Sequence, residues 1–345
     1  TAVAQSLGAA ATFKTSTPGS PDSVYDAGTN RVVIVYGDPS DGDKGKAIVG
    51  TVSGTDISFG SQVVFNAGNT GAKSVTYDSA SEKVVIAYKD AGNSSYGTAI
   101  VGTVSGTTIS FGSEVVFASA TIVEIKSTFD SASNKVVISY IDQDNSNYGI
   151  AIVGTVSGTS ISFGTAAVWN SNRSDFTSIA FDSSANKVVI TFASATGSPS
   201  YEGKAIVGTV SSTNISYASA VVFESGRTEN TSVVYEANAQ KVVIAYKDKG
   251  NSSYGTAIVG TISGTSISFG TAVVFDSSNS EAFSTDFDAS NNTVVIAYHH
   301  GQSGKGYLIA GTVSGTNISF ATRLQWDNDG GNGTSIVYNS TEEKS

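Results

Sequence analysis

The chain has 345 residues, with 19 basic against 29 acidic side chains for a formal net charge of -10, and neither cysteine nor methionine. That balance leaves no Lys/Arg stripe to displace counterions from a phosphate backbone, so nucleic acid is not expected as a partner. The missing thiols exclude disulfides and thiolate-held zinc or iron-sulfur centres.

No run reaches the roughly 20 apolar residues of a membrane helix, and no basic-then-apolar leader opens the chain. Starting at Thr1, it reads as a processed product or a fragment. Its length exceeds the usual single core, which calls for several domains or growth by repetition.

From the N terminus, Val3 to Phe13 reads as an outermost strand, with Gly8 matching a glycine that recurs later. The string Val-Gly-Thr-Val-Ser or a near variant then begins at Val49, Val101, Val153, Val207 and Val259, with a weaker copy at Ala310, so the unit is about 52 residues. An aromatic residue usually followed by an acidic one keeps the same beat, as at Tyr77 and Phe129.

Within one unit, Lys73 to Tyr77 alternates as a first strand, and Asp78 opens an Asx turn. Val84 to Tyr88 is dense in β-branched residues and reads as a central strand buried on both faces. Thr98 to Val104 is the third strand, and Ser105, Gly106 and Thr107 make a hairpin. Thr108 to Phe117 is the fourth, with Gly112 marking a bulge or bend.

Four short antiparallel strands per unit of about 50 residues predict an all-β fold, a β-propeller of four-stranded antiparallel blades. The hairpin links argue against a solenoid, and the repeat is too short for one sandwich per unit. Residues 21–326 supply six blades, while 1–20 and 327–345 read as the outer strand and the link plus inner strand of an incomplete seventh. Seven blades with the last shared by both termini are expected, and six blades are the alternative, in a single 1–345 domain.

The links between units vary while the opposite turns are monotonous, so the linking face is where ligand contacts are expected. It carries Arg173 with Asp175, Arg227 with Glu229, and the recurring Tyr96, Tyr148 and Tyr254. Asp38, Asp41 and Asp43 share one short glycine-containing loop, a candidate calcium site; no other cofactor is expected. His299 and His300 are adjacent on a strand and point to opposite faces, which removes joint metal ligation.

Asp90 to Tyr96 and Asp248 to Tyr254 resemble the Asp-box turn of sialidase-like propellers, where it is structural. Sialidases need three clustered arginines, and this chain has four in all, Arg31, Arg173, Arg227 and Arg323. Blocks of the kind Ala-Ile-Val-Gly-Thr-Val-Ser-Gly-Thr resemble glycine- and serine-rich propeller repeats in structural proteins of marine bacteria and their phages.

That resemblance implies a non-catalytic structural or receptor-binding module of an extracellular or virion assembly, such as a phage tail or capsid appendage. Its partners would be other structural proteins or a cell-surface glycan or receptor. The alternatives are a calcium-assisted carbohydrate-binding lectin and a sialidase-like glycoside hydrolase, against which the arginine count speaks.

Overall fold

The computed structural model describes residues 7–195, 201–328 and 333–343, and every extended element among them is a β-strand. The second unit shows the plan. Lys83–Asp90 pairs antiparallel with the inner strand before it, which ends at Asp78, and with Tyr96–Ser105 after it, in the register Val84↔Gly102 and Ile86↔Ile100. The outer edge is split. Thr108–Phe111 and Val115–Ala118 both pair with Tyr96–Ser105, so the segment read as one bulged strand is two strands separated at Gly112.

Local chemistry fixes these pieces. The Asp78 carboxylate accepts the backbone N–H groups of Ala80 and Ser81 at 2.9 and 3.0 Å, which satisfies turn donors that no ladder reaches. Asp130 and Asp182 repeat the arrangement in the next two units.

Side chains alternate across the middle strands and bury both faces. Val84, Ile86 and Tyr88 pack against Val33, Val35, Ala47 and Val49 of the preceding unit, whereas Val85 and Ala87 pack against Val136, Ile138 and Tyr140 of the following one. The core is therefore a series of layers between successive units, each holding apolar surface that one unit alone would leave wet.

The expected β-propeller, seven-bladed or six-bladed, is corrected by the strand pairing. The ladders make three open sheets of nine, five and thirteen strands, and none closes on itself. The cause lies in the links. Val63–Asp78, Val221–Glu236 and Val273–Asp288 are continuous 16-residue strands that pair with one unit at their start and with the next at their end. Around the third unit the chain bends instead, leaving Ile122–Asp130 to Ala167–Asn170 as the five-stranded sheet.

The shared closing blade does not form as strands either. Residues 3–6 of the expected outer strand and 329–332, 344 and 345 of the closing segment lie outside the described residues, while 7–18 and 333–338 carry no strand. These termini are nonetheless packed. Phe13 lies 5.4 Å from the Tyr36 ring and 5.8 Å from Phe59, copying the contacts of Phe65 with Tyr88 and Phe111.

At the other end, Ile336 N–H donates to Ser284 Oγ at 3.1 Å, and Ser335 Oγ accepts from Ser23 N–H at 3.0 Å. A cavity of about 510 Å³, lined by Val32, Ile34, Ala297, Leu308, Trp326 and Ile336 among others, separates the first unit from the sixth.

Asp286 accepts the Tyr338 N–H at 2.5 Å, and burial pushes its carboxyl up to about 6 despite that bond and a second from Phe287 N–H. The folded chain therefore binds this proton more tightly than the unfolded chain does, and stability falls as the pH rises from about 4 to 6. At 1.36 kcal/mol per pH unit, discounted for partial exposure, the effect is about 1–2 kcal/mol. Asp286→Asn is expected to be more stable than the parent by that amount at pH 8 and equal to it near pH 4, measured by urea unfolding. Equal stability at pH 8 would refute this assignment.

Candidate functional site

The variable links do more than span units. The link after Phe65 is hydrogen-bonded to the loop after the second strand on both sides: Thr70 N–H donates to the Asp43 carbonyl at 2.8 Å, and the Asn69 carbonyl accepts from Ala91 N–H at 3.0 Å. In the fourth unit this scheme places one tyrosine between two links. Thr228 N–H donates to the Tyr201 carbonyl at 2.8 Å, and Ala195 N–H donates to the Arg173 carbonyl at 3.0 Å.

The candidate residues Arg227 and Glu229 meet there. The Arg227 guanidinium lies 5.0 Å from the Tyr201 ring centroid and forms an ion pair of 2.8 Å with Glu229. Arg173 pairs with Asp175 at 2.9 Å, and that contact, with the Tyr201 hydroxyl in electrostatic reach, raises the guanidinium pKa further. Both guanidiniums are about half exposed, at 55% and 51%, while Asp175 and Glu229 are more covered at 21% and 14%. Glu229 also lies 4.0 Å from Lys247 and 3.9 Å from Lys249.

Such pairs contribute little to stability. What they supply is fixed geometry: N–H donors and carboxylate acceptors held beside an aromatic face, on a rigid two-sided frame.

Tyr96, Tyr148 and Tyr254 are half-buried at the first position of the third strand in three different units, and the structure does not gather them. Tyr148 packs against the apolar layer formed with Ile138 and Ile150. Tyr201 is one residue out of register with them. Glu202, not Tyr201, pairs with Ser194 as Tyr96 pairs with Asp90, and Tyr201 adopts φ +73° where Ser95 has +62°.

The aspartate loop is engaged by lysine side chains. Asp38 receives Lys14 at 2.6 Å and Lys46 at 2.7 Å, and Asp41 receives Lys44 and Lys46 at 2.8 and 2.9 Å. Hydrogen bonds from Lys14, Lys46 and Ser40 hold the Asp38 carboxyl well below the usual range. Asp43 turns through φ +57° and faces Asn69 at 3.4 Å. Ammonium groups thus occupy the oxygens that calcium would need, and among the described residues no group of three or more His, Asp or Glu side chains stands placed to hold a metal.

The Asp-box-like loops are turn devices: Asp90 accepts Gly92 N–H at 3.0 Å, and Asp248 accepts Asn251 N–H at 3.0 Å. The four arginines serve separate partners. Arg31 donates to the Gly106, Thr29 and Asn30 carbonyls, and Arg323 joins Asp276.

One cluster escaped sequence reasoning. Asp276 collects the Tyr298 hydroxyl at 2.6 Å, His300 Nε2 at 2.7 Å and the Arg323 guanidinium at 2.5 Å, with Arg323 stacked 4.5 Å from the Tyr307 centroid. His299 points the other way, its Nδ1 2.9 Å from the Gly304 carbonyl.

No known protein family and no curated protein sequence matches the chain. Among solved structures it is similar to a protein from Lactobacillus plantarum, with a TM-score of 0.61 and 11% identity over 91% of this chain and 86% of that one. It is also similar to the BP39L lectin of Burkholderia pseudomallei, with a TM-score of 0.64 and 8% identity over 88% of this chain and 83% of that one. At such identities the likeness is one of fold. The expected kinship with marine bacterial and phage repeat proteins, and the virion or tail-appendage role drawn from it, is corrected: no family match supports it, and the two similar structures are a Lactobacillus plantarum protein and a bacterial lectin.

Proposed function

We propose that the chain is a non-catalytic carbohydrate-binding protein whose linking face recognises a cell-surface glycan. The observation that carries this reading is the group at the fourth unit, in which Tyr201 stands beside the Arg227–Glu229 pair with Arg173, paired to Asp175, in its electrostatic reach. Sugars offer an apolar C–H face and vicinal hydroxyls. An aromatic ring covers the first, and guanidinium and carboxylate groups held by each other satisfy the second through charge-assisted hydrogen bonds.

The fold shared with a bacterial lectin adds support. Because Asp38 and Asp41 are already neutralised by lysines, recognition is assigned to these side chains without calcium. A glycan array followed by calorimetry tests the reading. Binding is expected to survive chelator, and Tyr201→Ala and Arg227→Ala should each weaken it at least roughly tenfold, about 1.4 kcal/mol, with little change in thermal stability. Silence across the array at millimolar glycan would sink the proposal.

A further inference from the structure

The inner strands of the six units share an irregularity. Each shifts register at one point, between Gly19 and Asp22, Thr70 and Lys73, Val123 and Lys126, Asp175 and Ser178, Glu229 and Ser232, and Glu281 and Ser284. The bulge puts Ser20, Glu124, Phe176, Asn230 and Ala282 at φ values of 41°, 50°, 58°, 52° and 55°, a region that costs a non-glycine residue of order 1 kcal/mol or more. The same bulge position recurs every 52 to 54 residues and turns a different side chain from each unit to one place. There they line a cavity of about 280 Å³ whose walls include Lys73, Glu124, Lys126, Phe176, Asn230 and Phe283.

Most of the polar lining is structural. Thr177 Oγ donates to the Glu124 carbonyl at 3.2 Å, Thr231 Oγ donates to the Phe176 carbonyl at 2.5 Å, and the Glu124 carboxylate accepts Thr177 N–H at 2.9 Å. Lys73 is the exception. Its residue is 7% exposed, its ammonium donates to the carbonyls of Gly19 and Ser20 at 3.1 and 3.4 Å, and among the described residues it forms no ion pair. Lys126, on the same wall, forms none either and stands within electrostatic reach of Glu124.

A buried ammonium that keeps only carbonyl partners has lost more hydration than neutral acceptors return. Burial accordingly pushes Lys73 down to about 8, although Asp22 and Asp43 act on it in the other direction.

The geometry points to this cavity as a binding site for a small organic carboxylate, whose charge completes Lys73 and Lys126 while its carbon frame lies against Phe176 and Phe283. The cavity's own lining carries two cations against one carboxyl, Asp22 and Asp43 not being among its lining residues, and this sets the sign of the ligand. The two half-buried aromatic rings favour an organic anion over an inorganic one, and the volume restricts it to a single hexose-sized molecule. This inference does not depend on the surface reading above, since none of the five residues assigned to that site lines the cavity.

The probes are glucuronate, acetate, glucose and inorganic phosphate, followed through the resonances of 13C-labelled lysine in the intact chain. Glucuronate and acetate should shift the Lys73 signal and move its titration upward by roughly one pH unit, as a counter-charge does. Glucose and phosphate should leave it in place. Lys73→Met should weaken glucuronate binding at least tenfold, whereas Tyr201→Ala should not alter it. If Lys73→Met fails to fold, the wild-type titration decides alone. No response to either carboxylate, an equal response to phosphate, or unchanged affinity in a folded Lys73→Met variant would each overturn the assignment.

Discussion

Gly149→Val is expected to lower stability by about 3 kcal/mol or more. A Cβ at Gly149 would lie 2.3–2.4 Å from three atoms of the Trp169 indole. That ring is 5% exposed, donates Nε1–H to Ser139 Oγ at 3.1 Å and sits 4.8 Å from Phe192, so it has nowhere to retreat. Its counterparts show the contact to be a rule of the repeat. Gly45, Gly97, Gly203, Gly255 and Gly306 each lie under an aromatic ring, and a Cβ there would come within 2.5–2.7 Å of it.

The comparison that isolates the mechanism is a double-mutant cycle. Trp169→Ala alone should cost about 3–5 kcal/mol as a cavity. Combined with Gly149→Val, it should cost at least 1 kcal/mol less than the sum of the two, because the removed ring is what the new side chain strikes. Urea unfolding of the four proteins measures this, and strict additivity would show that the glycine is needed for some other reason.

Much of this architecture is legible in sequence because periodicity and turn chemistry are local. The 52-residue beat located every middle strand, and Asp78 announced its turn through an oxygen two and three residues from the N–H groups it accepts. What joins one unit to the next was not legible. The link after Phe65 continues the ladder and the link after Phe117 breaks it, although both read as variable links between units. Whether seven residues pair or bend depends on the separation of two units already in place, which no pattern within the link encodes.

The candidate site was half readable. Arg173 with Asp175 and Arg227 with Glu229 are neighbours in sequence and pair in space. The ring beside Arg227, Tyr201, stands one residue out of register with Tyr96, because a longer second loop carries it into the position of Ser95. The cavity at the bulges had no sequence signal at all. Left-handed backbone is usually announced by glycine, and here Ser20, Glu124, Phe176, Asn230 and Ala282 hold it through tertiary constraint.

Asp276→Ala is the second large effect expected, at about 3–5 kcal/mol, because it leaves three donors without an acceptor. The carboxylate is 3% exposed. Burial alone would raise its pKa, but hydrogen bonds from Tyr298, His300 and Arg323 outweigh that and hold the carboxyl below its ordinary value. A folded-state pKa below the unfolded one means that its stabilisation is complete above the ordinary carboxylate range and is lost as the pH falls through the folded value.

The gap between parent and variant should therefore be full at pH 7 and shrink below about pH 4, when the carboxyl takes up a proton and ceases to hold Arg323. Arg173→Ala is the matched control. Its carboxylate partner sits at the surface, so the expected loss is about 0–1 kcal/mol. Equal losses in the two variants at pH 7 would mean that the Asp276 cluster is merely another exposed ion pair. A much larger loss at Asp276 means instead that one buried acceptor with three donors holds the sixth unit.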